Sequence, residues 1–131
     1  MQTTVTTGAG EAAQFVSAVA DELRAALGFR PYPGTLNVER APAIEDLPAE
    51  TLTSGPLSNE HCDGVVVRHC TVAGVRAAVL RPLVPEYPAE KVELLAPVEL
   101  RPVFELTDGD DLPVVPPDQV WHPEGPEAVD G

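Results

Sequence analysis

The sequence predicts a mainly β fold in which about six short strands form a small barrel beside one main α-helix. Short stretches rich in β-branched residues recur along the chain and are bounded by glycine or proline. Only one stretch carries apolar residues at the three- and four-residue steps of an amphipathic helix. The length of 131 residues and the apolar content of 44% fit one globular domain. We therefore expect a barrel domain over residues 1–115 and a disordered, acidic, proline-rich tail over 116–131.

The first half of the chain places the helix between two strands. Residues 2–7 (QTTVTT) predict a strand, and residues 8–13 predict a glycine-containing loop. The apolar face of the helix is formed by Val16, Val19, Leu23, Ala26 and Leu27. Gly28 suits the position just after a helix end, and a strand is predicted to start at Thr35. The segment 41–59 is rich in proline and glutamate, and we expect an excursion with little core of its own.

The second half is predicted to consist of strands and short loops. The strands lie at 64–72, 75–81, 92–96 and 112–115. A tight turn at Ala73-Gly74 joins the first two of these strands. A proline-rich loop spans 82–90, and residues 100–106 predict a short helical turn.

The charge of the chain excludes some classes of partner. The net charge is -13, from 21 acidic and 8 basic residues, and Lys91 is the only lysine. An acidic chain that avoids lysine is typical of proteins that work in high salt, where screening reduces self-repulsion. No basic stripe is available to bind nucleic-acid phosphates. No apolar run could span a membrane and no signal peptide is recognisable, so we expect a cytoplasmic protein. We also expect a monomer.

The pattern HCDGVVVRHC, which contains Cys62 and Cys70, raises the question of a zinc site. Zinc ligands are usually paired across a short turn, two to four residues apart. Here the valines 65–67 predict one continuous strand between the two His-Cys pairs. Ordinary strand residues are therefore the favoured interpretation.

The strand that starts at Thr35 is unusual because its first positions carry polar oxygen atoms. Alternation places Leu36 and Val38 on the core face, and Thr35 and Asn37 together on the other face. A hydroxyl and an amide oxygen two residues apart can serve as neutral ligands of Mg²⁺, which completes its shell with phosphate and water. From the spacing alone, a turn hydroxyl and an exposed strand amide are the more common explanation.

Three further features carry possible chemistry. The segment Gly8-Ala9-Gly10 stands between a strand and the helix, where glycines let backbone N–H groups approach a phosphate. It matches neither a P-loop nor a dinucleotide fingerprint. Glu93 lies between the core residues of its strand and faces away from them, so it could hold a hydroxyl or accept its proton. Arg101 could hold a phosphate or a base edge. The more ordinary explanation for Glu93 is a solvent-exposed carboxylate, and that for Arg101 is a surface ion pair.

Taken together, these stretches resemble the archaeal CTP-dependent riboflavin kinases. The resemblance covers residues 3 to 115, and its most specific element is PYPGTLNV at 31–38. The matching segments, in order, are GAGE at 8–11, LGFRPYPGTLNV at 27–38, VELLAPVELR at 92–101 and TDGDDLPV at 107–114. The resemblance implies a six-stranded cradle-loop barrel of the riboflavin-kinase type. It also implies a kinase that transfers the γ-phosphate of CTP to the 5′-hydroxyl of riboflavin, giving FMN and CDP.

The resemblance also implies roles for individual residues. Thr35 and Asn37 would be ligands of Mg²⁺, the expected cofactor. Glu93 and Pro85 would contact the flavin, and Glu93 is the candidate to orient or deprotonate the attacking hydroxyl. The nucleotide would be bound by Thr7, Gly8, Ala9, Gly10, Glu11, Ala12, Val98, Glu99, Leu100 and Arg101.

The chain departs from the family pattern at several places. The segment before the helix is shorter than the resemblance leads us to expect, and Gln14 stands where the family usually has an aromatic residue. Ala12 stands where the family usually has glycine, and Pro85 where it tends to carry a threonine that touches the flavin. A non-catalytic module that binds CTP or a flavin is therefore the alternative function. A structural barrel whose acidic tail recruits a partner is a third possibility. The pair Thr35 and Asn37 beside a glycine loop argues against a purely structural role.

Overall fold

Antiparallel strands make up most of the computed structural model, which describes residues 1–8, 12–39, 41–60, 62–88 and 90–117, without the side chains of 42 and 59. The strands are β1 (Gln2–Thr6), β2 (Leu36–Glu39), β3 (Ala49–Leu52), β4 (Ser58–Asn59), β5 (Cys62–Asp63), β6 (Val65–Val72), β7 (Val75–Pro82), β8 (Lys91–Leu95) and β9 (Asp111–Val115). The helices are α1 (Ala12–Ala18), α2 (Ala20–Leu27) and α3 (Leu100–Val103). The predicted disordered tail lies outside the described residues from 118 onward.

Six of the strands close into the predicted antiparallel barrel. Their order is β6-β7-β8-β2-β1-β9, and β9 pairs back onto β6 through Thr71–Val115 and Val72–Val114. β7 pairs with β6 over its whole length, so it occupies one edge of that strand. The other edge of β6 is shared, because β3 pairs with residues 65–68 and β9 pairs with residues 71–72. The small β4–β5 pair stands apart as a two-stranded ribbon.

Strand alternation divides the buried side chains into an inner and an outer core. On β8, Val92 and Leu94 point into the barrel, whereas Leu95 packs in the outer core. The outer core lies between the barrel wall and the two long helices, where Val16 and Leu23 are fully buried. Burial of such side chains contributes about 1.5–3 kcal/mol each. The helices are therefore held by their apolar face against β6, β7 and β8.

The predicted helix is present but is divided into α1 and α2 at Val19. The backbone of Val19 has φ -116° and ψ 22°, outside the helical range, while its side chain is only 2% exposed. The break lets apolar residues on both sides of it reach the same barrel wall. Gly28 ends α2 with φ 80° and donates its backbone N–H to the Arg24 carbonyl, as expected of a glycine at this position.

The segment 41–59 has more structure than the sequence indicates. Two short 3₁₀ helices (Pro42–Asp46 and Gly55–Leu57) flank β3. Ile44 and Leu47 are buried in the inner core, and Leu57 is buried in the outer core. The expectation of little core was wrong, because isolated apolar residues gave no periodic pattern although the barrel wall buries each of them.

The turn between β6 and β7 contains two residues with positive φ. Ala73 has φ 48° and Gly74 has φ 80°, which is the arrangement of a two-residue hairpin with the twist of the flanking strands. This confirms the tight turn predicted here. Among the described residues, no helix has the length and apolar character to cross a bilayer.

Candidate nucleotide and metal site

A cleft of about 850 Å³ opens at one end of the barrel, where β1 and β8 end and β2 and β9 begin. Backbone and side chains from both halves of the chain line it. The lining residues are Thr7, Gly8, Ala12, Ala13, Tyr32, Pro33, Gly34, Thr35, Leu36, Asn37, Leu94, Ala96, Val98, Glu99, Leu100, Arg101, Thr107 and Asp108. Its size lies within the range of small-molecule binding sites in proteins.

Asn37 lies at the centre of three paired strands. It is paired with Thr6 on β1 and with Glu93 on β8. The chain leaving β1 passes directly over its side chain: a Cβ atom added to Gly8 would lie 2.0 Å from the Asn37 amide nitrogen. Glycine is therefore required at position 8 while Asn37 keeps this position, because real Cβ contacts are not shorter than about 3 Å.

Glu93 is a buried carboxylate, only 7% exposed, on the strand next to Asn37. Its Oε1 accepts a hydrogen bond of 2.7 Å from the Thr35 hydroxyl. Its Oε2 accepts a hydrogen bond of 2.5 Å from the Tyr87 hydroxyl. These two donors offset the free energy of removing the carboxylate from water. The sequence correctly placed Glu93 on the face opposite Val92 and Leu94, but it gave no indication of its burial.

Arg101 and Asp108 join the two sides of the cleft. An Arg101 guanidinium nitrogen donates to the Thr6 carbonyl at 3.0 Å and to Asp108 Oδ1 at 3.1 Å. The Thr7 hydroxyl donates to Asp108 Oδ2. These hydrogen bonds, first from Thr7 and then from Arg101, hold the pKa of the exposed Asp108 carboxyl below its usual value. The carboxylate thus ties the end of β1 to α3.

Tyr32 stands at the opening of the cleft beside the start of α3. Its backbone N–H donates to the Ala96 carbonyl at 2.7 Å, which fixes the turn before β2. The neighbouring Glu99 carboxylate raises the pKa of the Tyr32 phenol. Tyr32 and Val98 are both exposed, so an aromatic and an aliphatic surface face the solvent side of the cleft.

The residues of the cleft fit a metal that is bound mainly by a ligand's phosphates. Among the described residues, no three histidine, cysteine, aspartate or glutamate side chains are grouped to hold a metal. Thr35 and Asn37 instead offer two neutral oxygen atoms beside the space where a phosphate could lie. Since the Thr35 proton is used in the bond to Glu93, its lone pairs are free for a cation. Mg²⁺ accepts such a set, with phosphate oxygens and water as further ligands.

Comparison with known proteins identifies the family. Residues 5–115 match the family model for CTP-dependent riboflavin kinases, whose description is domain of unknown function DUF120. The chain belongs to the CTP-dependent riboflavin kinase family. It is 36% identical over 117 residues to a riboflavin kinase of Aeropyrum pernix, covering 83% of this chain and 89% of the relative. It is 33% identical over 123 residues to a riboflavin kinase of Methanococcoides burtonii, covering 85% of this chain and 54% of the relative.

A third similar relative is also a riboflavin kinase. The chain is 35% identical over 121 residues to a riboflavin kinase of Methanocella arvoryzae, covering 87% of this chain and 55% of the relative. The chain therefore spans about half the length of the Methanococcoides and Methanocella relatives and most of the Aeropyrum one. The resemblance stated from the sequence is confirmed, as is the barrel that it implied.

For a member of this family, the structure gathers most of the predicted site residues in one cleft. The cleft contains Thr35 and Asn37, and it contains the predicted nucleotide contacts Thr7, Gly8, Ala12, Val98, Glu99, Leu100 and Arg101. Glu93 reaches the cleft indirectly, through the Thr35 hydroxyl. Ala9, Gly10 and Glu11 lie outside the described residues. Their roles, like those of the residues in the cleft, stay predictions.

Pro85 and Ala12 are two of the departures from the family pattern. Pro85 is exposed in the loop between β7 and β8 and is not part of the cleft lining. Its assignment to the flavin stays a prediction. Ala12 is the first residue of α1 and is absent from the positive-φ residues of the described chain. Alanine is therefore accommodated there without a backbone conformation that requires glycine.

Sequence reasoning missed Tyr32, Tyr87 and Asp108. Side-chain contacts that no sequence pattern encodes bring two of them to the site: Tyr87 bonds to Glu93, and Asp108 bonds to the nearby Arg101 and to the distant Thr7. The compact polar turn TDGDD, which follows α3, was the only sequence signal that could have pointed to Asp108. Cys62 lies on β5 and Cys70 lies on β6, and both thiols are buried, so the two are strand residues as favoured above.

Proposed function

We propose that this protein is a riboflavin kinase that transfers the γ-phosphate of CTP to the 5′-hydroxyl of riboflavin, producing FMN and CDP with Mg²⁺. One observation carries the proposal: a single cleft combines Thr35 and Asn37 with Gly8 and Arg101, in a chain of this family. Phosphoryl transfer requires alignment and charge neutralisation more than covalent chemistry by the protein. This cleft offers the parts for both.

The residues of the cleft would share the work as follows. Thr35 and Asn37 would hold Mg²⁺, which neutralises charge on the phosphates during transfer. Backbone N–H groups of the loop from Thr7 to Ala12 would cradle the phosphates, since a glycine backbone allows close approach. Arg101, fixed by Asp108 and the Thr6 carbonyl, would place positive charge beside the nucleotide. The segment Val98–Arg101 would contact the cytidine.

Glu93 is the proposed catalytic residue that orients the riboflavin hydroxyl and accepts its proton. Each of its oxygens accepts one hydrogen bond from the protein, and a carboxylate oxygen has room for a second. Burial removes competing water from the carboxylate. Glu93→Gln keeps the shape and removes the base. Near-normal turnover by Glu93→Gln would rule out the base role while leaving the kinase assignment intact.

The test of the whole proposal is a transfer assay in high-salt buffer with Mg²⁺, riboflavin and each of CTP, ATP, GTP and UTP, following FMN by chromatography. We expect FMN with CTP, and its loss in Thr35→Ala and Asn37→Ala. Thr51→Ala is the matched control, because Thr51 is an exposed threonine on β3 outside the cleft. Equal loss in Thr51→Ala would contradict the assignment of the site.

The alternative function is a non-catalytic module that binds CTP or a flavin, and the exposed Pro85 in place of a threonine favours it. A proline keeps a carbonyl but offers no donor to a flavin. A folded protein that binds CTP and riboflavin, yet forms no FMN with any nucleotide, would establish this alternative. Pro85→Thr would then be the first variant to assay for recovered transfer.

A further inference from the structure

The buried Glu93 carboxylate is held between two partly buried hydroxyl groups, Tyr87 from the loop before β8 and Thr35 from the residue before β2. Each carboxylate oxygen accepts one hydrogen bond from the protein, Oε1 from Thr35 at 2.7 Å and Oε2 from Tyr87 at 2.5 Å. The orientation of the carboxylate is thus set from two sides. A carboxylate without the Tyr87 bond would retain one fixed oxygen and could rotate about it.

Thr35 donates its hydroxyl proton to Glu93, and this direction decides whether its oxygen can serve as a metal ligand. A hydroxyl has one proton and two lone pairs, and its proton rotates toward the best acceptor. Because Glu93 takes the proton, the lone pairs of Thr35 point elsewhere, and Thr35 lines the cleft. Partners of this kind orient a metal ligand, and their mutation typically lowers metal affinity by about 10- to 100-fold.

Tyr87 belongs to a loop, yet its ring and backbone are held by the barrel. The Arg81 guanidinium lies 4.8 Å from the ring centroid and the Lys91 ammonium lies 5.4 Å from it. Arg81 also donates to the backbone carbonyls of Tyr87 at 3.0 Å and Pro88 at 3.2 Å. Burial and the bond to Glu93 raise the pKa of the phenol, so the hydroxyl stays a donor.

We propose that Tyr87 is a positioning residue of the transfer site: its hydroxyl fixes the Glu93 carboxylate, which in turn directs the lone pairs of Thr35 into the cleft. The inference rests on the proposed function where it assigns a metal to Thr35. Tyr87 would act on the metal only through Glu93 and Thr35, without touching the metal itself. It also connects the loop that carries Pro85 with the metal site on the opposite side of Glu93.

The test is Mn²⁺ binding to the protein in the presence of CDP, followed by the electron paramagnetic resonance of free Mn²⁺. In Tyr87→Phe we expect binding weaker by about 10-fold, as for the loss of other partners of metal ligands. In the transfer assay, kcat should fall and the Mg²⁺ concentration for half-maximal rate should rise. Thr3→Val is the matched control, because it removes a buried hydroxyl that donates to the Leu112 carbonyl at 2.9 Å, outside the cleft.

A double-mutant cycle separates positioning from general destabilisation. Once Thr35→Val has removed the hydroxyl, adding Tyr87→Phe should weaken Mn²⁺ binding no further. If Tyr87→Phe fails to fold, Arg81→Met loosens the same ring and should weaken binding by about 3-fold, less than the loss of the hydroxyl itself.

The results distinguish this inference from the proposed function. Unchanged Mn²⁺ binding in Tyr87→Phe would overturn the inference, and so would a wild-type protein that binds no Mn²⁺ with CDP. Wild-type protein that binds Mn²⁺ and CDP but forms no FMN would overturn the proposed function alone. In that case weaker binding by Tyr87→Phe would still establish the positioning role.

Discussion

Replacing Gly8 by alanine would force the Asn37 side chain out of its position in the cleft. The new Cβ would lie 2.0 Å from the Asn37 amide nitrogen, 2.3 Å from its Cγ and 2.6 Å from its Oδ1. An ordinary contact begins at 3.4 Å, so the amide must retreat by 3.4 - 2.0 = 1.4 Å. A misplacement of about 1 Å at a reacting centre lowers the rate by about 100-fold. We expect a loss of that size in FMN formation.

Stability should change little in this variant, because Gly8 is exposed and the structure gives it no positive φ. The assay is the CTP-dependent formation of FMN, measured beside thermal unfolding of the same sample. Gly74→Ala is the control: it adds backbone strain at φ 80° in a turn where the new Cβ meets nothing within 4 Å. That control should lower stability and leave turnover unchanged.

A double variant tests the cause directly. In Asn37→Ala the atoms that the new Cβ would strike are gone, so adding Gly8→Ala should lower residual turnover no further. Turnover of Gly8→Ala within about threefold of wild type would refute the reasoning, since a movement above 1 Å should cost far more. An additive loss in the double variant would show that Gly8 acts on the nucleotide instead of on Asn37.

The other predictions concern stability, reactivity and salt. Ala73→Asn should raise the free energy of unfolding by about 0.5–1 kcal/mol in denaturant titrations, because asparagine tolerates positive φ better than alanine; no change would contradict this. Burial raises the pKa of Cys70 from 9.0 to about 12, so the folded protein should resist thiol reagents at pH 8. Since the unfolded thiol ionises first, the stability contribution of Cys70 should fall as pH rises above about 9. Asp108→Asn should raise the KM for CTP and spare that for riboflavin, because Arg101 loses its carboxylate partner. The melting temperature should rise with KCl, given the net charge of -13.

The sequence was sufficient for those parts of the site that depend on strand alternation. Alternation alone put Asn37 and Glu93 on the face opposite the inner core, and the register of β2 and β8 makes them direct neighbours. The hairpin at Ala73-Gly74 and the end of α2 at Gly28 were predictable for a similar reason. Both depend on a local backbone conformation with positive φ, and the glycine in the sequence indicates that conformation.

Features that depend on individual side-chain contacts, outside the strand and helix patterns, could not be predicted. Tyr87 bonds to Glu93 because Arg81 and Lys91 hold its ring, and nothing in the loop sequence encodes that contact. The break at Val19 is also a tertiary effect, since an unbroken apolar face favours one continuous helix. Ile44 gave no signal at all, because a single apolar residue in a proline-rich segment has no periodicity.

The way β9 closes the barrel has a consequence for how the protein is made. The strand at 111–115 pairs with β1 at the start of the chain and with β6 in the middle. During synthesis both of those strands therefore keep an unpaired edge until β9 has left the ribosome. Such long-range pairing is slow. We expect the nascent chain, truncated before β9, to depend on chaperones that shield open sheet edges.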